Sequence, residues 1–364
     1  MLIARTPVRV SFGGGGTDLP SFYEAHGGAV LSTSINKYFY TMLTGREDDL
    51  IQVISSDIRV VEAWRNVSAA PSSEQMELQI PFAALKALQC DIGLNLFLAS
   101  EIPPGTGLGS SAAVCVNLLH VLSAYLHRPL SKYELAETAF HIARDVLGKP
   151  VGKQDEYAAA FGGLNFIHFE AGAVRVERLH LEIAALRELE DNLLLFFTGA
   201  GHDSWVILKD QENSSRRADS ETVEALLALK KLALEMKEAL LAREFSRFGS
   251  LLDRGWQQKK RLSSQVSNSR IDSLYDLARR NGALGGKITG AGGGGFLLLY
   301  SERDSQPRLV EALKDAGLRQ MHFDFDLNGS QIIYDDPFMD QDVHGGTQWT
   351  YIPAGAFQSV FGKA

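Results

Sequence analysis

The chain has 364 residues, more than one hydrophobic core ordinarily organises, so two domains are expected. Hydrophobic residues make up 45% and charged residues 22%, which is the composition of a folded globular protein and excludes a disordered chain. The net charge of -8 argues against nucleic acid or an acidic membrane as the main partner, so any anionic ligand must be held by local features. Cys90 and Cys115 lie in apolar stretches without metal-ligand spacing and read as buried free thiols of a reducing compartment. The opening "MLIARTPVRV" lacks a signal-peptide pattern, and no apolar run reaches the roughly eighteen residues of a membrane span. A cytoplasmic protein without a membrane partner is expected.

In chain order, "RTPVRVSFGGGGTD" (5–18) begins as a strand and ends in four glycines, Thr17 and Asp18. Residues 39–43 and 50–55 read as strands around the polar turn "GREDD", and 94–103 as a strand entering a Gly-Pro loop. The spacing from 111 to 126 predicts a buried helix. Ser131 and Glu134 form a capping-box pattern before a helix that stops at Gly148. Strands are expected at 162–169, 173–179 and 192–199, followed by one long helix from Asp219 to Glu244. Two further helices, 270–282 and 307–317, end at glycine, while 293–300 and "MHFDFDL" (321–327) read as strands, the second by its period-two alternation. Residues 336–364 carry no clear pattern. A boundary between 180 and 190 divides the chain into domains 1–185 and 186–364, of α/β class.

The loop "PPGTGLGSSAA" (103–113) strips side chains from the backbone directly before a helix. Such a turn lets backbone N–H groups converge on a ligand, and the helix N-terminus adds unpaired donors and partial positive charge. A phosphate cradle follows, with Ser110 and Ser111 offering hydroxyls to phosphate or Mg²⁺. Neither the G-x-x-x-x-G-K-[ST] nor the G-x-G-x-x-G pattern fits. A second reading is a tight strand-to-helix connection with no ligand. The clusters at 13–16 and in "GGKITGAGGGGF" (285–296) add two more glycine loops and favour a phosphate-bearing ligand.

These three stretches, in this order, resemble the three signature motifs of the GHMP kinases. "GGGGTDLPSFY" with "GKQDEYAAAFGGLNFI" (152–167) is most similar to the heptose kinase branch. The resemblance implies an N-terminal domain like ribosomal protein S5 domain 2 and a ferredoxin-like C-terminal domain, with ATP and sugar in the cleft between. It implies a kinase acting with ATP and Mg²⁺ on the anomeric hydroxyl of D-glycero-D-manno-heptose 7-phosphate. Other sugar 1-kinases (fucose, galactose, unphosphorylated heptose), a catalytically silent binding protein, and assembly as a homodimer stay open.

Carried over residue by residue, the resemblance places ATP on Pro104, Gly105, Thr106, Gly107, Leu108, Gly109, Ser110 and Ser111, with Mg²⁺ on the two serines. Asp155 matches the catalytic aspartate and Arg9 the basic residue beside it. Gly15, Gly16, Thr17 and Asp18, with Gly290, Ala291 and Gly292 of the third motif, would meet the substrate. Ala143 stands where many members carry a Mg²⁺-binding glutamate, so Ser110 or Ser111 with phosphates and waters, or the neighbour Asp145, would serve instead. His202 replaces an arginine expected in near relatives, and Arg216 and Arg217 are either a solvated helix entry or contacts to a substrate phosphate. Three residues keep plainer readings: Arg9 as a structural ion pair, Asp18 as the N-cap of the next helix, and Trp64, in a loop between strands, as packing rather than an adenine platform.

Overall fold

The computed structural model describes residues 1–65, 78–199, 204–216 and 219–336. His202, Arg217 and the tail from 337, as well as the side chain of Arg216, lie outside the described residues. The first sheet is built on β1 (Leu2–Gly13) and the 18-residue β2 (Gly28–Gly45), paired antiparallel. The early part of β2 pairs with β6 (Leu164–Glu170), which carries β7 (Ala173–Arg178); its later part pairs with β5 (Leu94–Ser100). Beyond β5 come β3 (Ile51–Ser55), in parallel register, and β4 (Val60–Trp64). On the other edge β1 receives β12 (Gln331–Asp335), a strand from the far end of the chain.

The sheet is covered by α1 (Pro20–His26), α2 (Gln79–Ala87), α3 (Ser110–Tyr125), α4 (Lys132–His141) and α5 (Gln154–Phe161). The expected capping box forms: the Glu134 N–H donates to Ser131 Oγ, and the Ser131 N–H to Glu134 Oε2. Regular α-helix ends earlier than Gly148, however. After His141 the chain makes one wide turn, Ile142–Val146, of the kind that re-aims a helix beside a functional site.

The second sheet has the order β11-β8-β10-β9, all antiparallel, from β8 (Leu193–Phe197), β9 (Gly285–Ile288), β10 (Phe296–Tyr300) and β11 (Arg319–Gln320). The second half adds α6 (Ile183–Asp191), α7 (Ser204–Arg216), α8 (Ser220–Leu241), which packs against β1 and β2 of the first sheet, α9 (Phe245–Lys260), α10 (Ser269–Arg280) and α11 (Gln306–Asp315).

The long helix expected from Asp219 to Glu244 forms as α8, and an unexpected further helix, α9, follows it; two other expectations are corrected. No glycine or proline marks this break; Arg243 takes a left-handed φ of 59°, and burial of Phe245 turns the chain back. "MHFDFDL" has its alternation but no strand, because β2 already has partners along its length and offers only Ile35 as a bridge to Phe325. Trp64 lies on β4 rather than in a loop, with its ring 5.9 Å from Phe82 of α2, so the packing reading holds.

A large apolar cluster runs from the first sheet into α8 and α9, and a second one lies under the small sheet around Trp256. Phe248 of α9 joins the two halves. Fully buried, it meets Phe12 of β1 edge-on at 5.3 Å and Tyr300 of β10 at 6.1 Å. Phe248→Ala should cost about 3–5 kcal/mol through the cavity it leaves. Urea unfolding should show both sheets destabilised together, and loss of one sheet alone would contradict this.

Candidate active site

Arg9 lies on β1 and Asp155 in the first turn of α5, 146 residues later. The Arg9 guanidinium donates through Nε to Asp155 Oδ1 and through Nη2 to Oδ2, both at 2.7 Å, a side-on bidentate pair. Its Nη1 donates to the Gly107 carbonyl at 2.6 Å, and the Arg9 backbone N–H to the Leu108 carbonyl at 2.9 Å. One buried cation therefore ties a strand, a helix and the glycine loop together.

The loop 103–109 leads into α3, whose N-cap Gly109 takes a left-handed φ of 76° and caps nothing with a side chain. No acidic residue of α3 itself occupies the first turn, and Ser110, Ser111 and Ala112 line the cleft, while the Asp155 carboxylate lies against Gly109. Gly107 is packed against the third motif so closely that an added Cβ would stand 2.5 Å from the Thr289 carbonyl oxygen. A Cβ on Gly290 would stand 2.5 Å from Gly107 Cα. Two glycine loops back each other, which accounts for side-chain-free backbone at both places.

The cleft has a volume of about 390 Å³, within the range of small-molecule sites. Of the residues expected to bind nucleotide, Pro104, Gly105, Gly107, Gly109, Ser110 and Ser111 line it. Thr106 and Leu108 are buried behind the loop, the Thr106 hydroxyl donating to the Pro103 carbonyl. Gly15, Gly16, Asp18, Gly290 and Ala291 also line the cleft. Thr17 and Gly292 do not: the Thr17 hydroxyl donates to the Gly14 and Ala29 carbonyls, and Gly292 is packed against Val266.

Asp18 is not an N-cap. Leu19 occupies that position of α1, and the Asp18 carboxylate instead accepts from the Gly16 N–H and from the backbone and side-chain N–H groups of Gln154. Burial raises its pKa, with the Gln154 backbone bond opposing the rise.

Sequence reasoning missed Lys259, Lys287, Gln154, Ser11 and Glu156, all of which line the same cleft. The Lys259 ammonium donates to the Gly290 carbonyl; burial and then the Arg9 charge push its pKa down to about 8. Burial and then the Lys259 charge hold Lys287 well below the usual lysine range. Glu156 is pushed well up, first by burial and then by the neighbouring Asp155 charge. A signal existed for Lys287, the lone cation of "GGKITGAGGGG", and for Ser11, two residues along β1 from Arg9. Asp145, by contrast, is exposed and paired with His141 at 2.7 Å.

Residues 79–163 match the family described as GHMP kinases N terminal domain, and 236–318 match GHMP kinases C terminal. The chain is 32% identical to D-glycero-alpha-D-manno-heptose 7-phosphate kinase of Campylobacter jejuni subsp. jejuni, over 85% of this chain and 92% of that one. A D-glycero-D-manno-heptose 1-phosphate kinase structure from Bacteroides thetaiotaomicron superimposes with a TM-score of 0.76 at 26% identity, covering 92% of this chain and all of that one. An L-fucokinase/L-fucose-1-P guanylyltransferase of Bacteroides fragilis is 25% identical over 82% of this chain and 34% of its own length. The two-domain architecture, the cleft between glycine loops and these likenesses agree: the chain belongs to the GHMP kinases, a family of ATP-dependent kinases.

Proposed function

We propose that this kinase transfers the γ-phosphoryl group of ATP to the anomeric hydroxyl of D-glycero-D-manno-heptose 7-phosphate, giving the 1,7-bisphosphate. The observation that carries the reading is the Arg9-clamped Asp155 carboxylate beside an uncapped helix N-terminus, in a cleft that also holds buried lysines. The heptose 7-phosphate kinase likeness supports the choice of sugar. The fucokinase likeness keeps a second sugar, fucose, in view.

In this reading the first-turn N–H groups of α3 and the 104–109 backbone hold the triphosphate. Asp155 orients the sugar hydroxyl and takes its proton as the oxygen bonds to phosphorus and the bond to the ADP oxygen breaks. Arg9 fixes the carboxylate by engaging both of its oxygens. Asp18, tethered by Gln154, is left with acceptor capacity for a sugar hydroxyl. Lys149, Lys259 and Lys287 line the cleft beyond the paired Arg9, an excess of cations suited to a substrate that brings its own phosphate. The hydroxyl oxygens of Ser110 and Ser111, both on the cleft wall, are donors of the kind Mg²⁺ accepts and would hold it with phosphates and waters. Bound there, Mg²⁺ would neutralise charge developing on the phosphates.

Release of ADP should be fast with heptose 7-phosphate and weak with the unphosphorylated heptose, fucose or galactose. Preference for an unphosphorylated sugar would discard the substrate assignment. Asp155→Asn should lower kcat about 10²–10⁴-fold, with nucleotide affinity little changed; retained turnover would remove Asp155 from proton transfer. Because Lys259 has its pKa pushed down to about 8, it carries charge below that pH and loses it above. The kcat/KM for the sugar phosphate should therefore fall as pH rises through about 8, and Lys259→Met should remove that limb of the profile.

A further inference from the structure

Glu156 follows Asp155 in the first turn of α5, yet no part of the proposed phosphoryl transfer uses it. It is 3% exposed and lines the cleft together with Ser110, Ser111 and Ala143. Its Oε2 is buried without a hydrogen-bond partner. An unsatisfied buried carboxyl oxygen is destabilising unless something binds it, and one on a residue of the cleft wall is suited to a hard cation.

We infer that Glu156 is the carboxylate through which this protein holds Mg²⁺ beside the nucleotide, replacing from α5 the side chain that Ala143 lacks on the opposing turn. The inference rests on the reading of the cleft as a nucleotide site. Three placements carry it. Ala143, in the wide turn 142–146, lines the same cleft with only a methyl group and so supplies no oxygen to a metal. Glu156 follows Asp155, whose Oδ2 would stand 3.1 Å from a Cβ on Gly109 at the head of α3, so the first turn of α5 lies at the serine end of the cleft. Asp145, the neighbour of Ala143 that the sequence offered instead, is turned to solvent and paired with His141, and it does not line the cleft. Among the described residues no three His, Cys, Asp or Glu side chains converge as a complete metal site. A single carboxylate completed by serine, phosphate and water oxygens is the arrangement Mg²⁺ commonly takes. A purely structural Glu156, kept as a neutral acid within the packing, would give the metal no ligand.

The test titrates Mn²⁺ into the full chain with ADP, following free Mn²⁺ by electron paramagnetic resonance, while calorimetry measures ADP binding without metal. Glu156→Gln should weaken Mn²⁺ binding at least about tenfold and leave metal-free ADP binding unchanged. Adding Ala143→Glu to that variant should recover most of the loss. Mn²⁺ affinity unchanged in Glu156→Gln would overturn the assignment. A wild-type chain that binds no ADP would overturn the nucleotide reading and this inference with it, a result distinct from loss of metal alone. Should the variants not fold, wild-type protein labelled with ¹³C at glutamate carboxyls provides the same decision. Glu156 is the one glutamate among the described residues lining the cleft, so a ¹³C coupling to bound Mn²⁺ is expected, and its absence would overturn the inference.

Discussion

The site depends on a single buried guanidinium. Arg9 engages both Asp155 oxygens and the Gly107 carbonyl, so the Asp155 carboxylate and the glycine loop are positioned by the same side chain. Burying such a pair is costly in isolation, and the bidentate geometry with a third acceptor offsets the cost. At Arg9 the strand β1 pairs with β2 on one side, and its backbone N–H donates to the Leu108 carbonyl, so the guanidinium is anchored between the first sheet and the glycine loop. Any shift of β1 would therefore move base and loop together rather than apart.

Around this clamp the cleft concentrates charges that the protein alone does not balance. Burial disfavours the charged forms of Lys259 and Lys287, and pushes Asp18 and Glu156 toward their neutral acids. Groups strained in this way regain charge when a ligand of opposite sign arrives, which couples binding to protonation. In the proposed reading a phosphorylated substrate would answer the lysines and a divalent cation Glu156. The back-to-back packing of the loops at Gly107 and Gly290 contributes rigidity, leaving little room for either loop to move independently.

Much of this was legible in the sequence, because glycine loops and a strand-borne arginine are local signals. The helix at 111–126, the capping box at Ser131 and the strands 39–43, 94–100, 164–169 and 296–300 follow from periodicity and caps that tertiary structure did not overrule. Other parts were not legible for stated physical reasons. The α8 to α9 reversal has no breaker residue, and β12 is amphipathic too weakly and too far from β1 in sequence to announce its pairing. The roles of Thr106, Leu108, Thr17 and Gly292 depend on which side of a loop faces the ligand, which no motif encodes. Lys259 lies in the polar run "QQKKR" and carries no local signal, and only the packing of α9 against the third motif buries it.

The central claim is positional: the clamped Asp155 receives its proton from the anomeric hydroxyl, so the new phosphate ends on that carbon. Phosphorus NMR of the product made from heptose 7-phosphate, ATP and Mg²⁺ tests it most directly. The account predicts a new anomeric phosphate signal split by its neighbouring anomeric proton, alongside the unchanged terminal phosphate. A new phosphate on any other carbon, or ADP formed with no sugar phosphate gained, would contradict it.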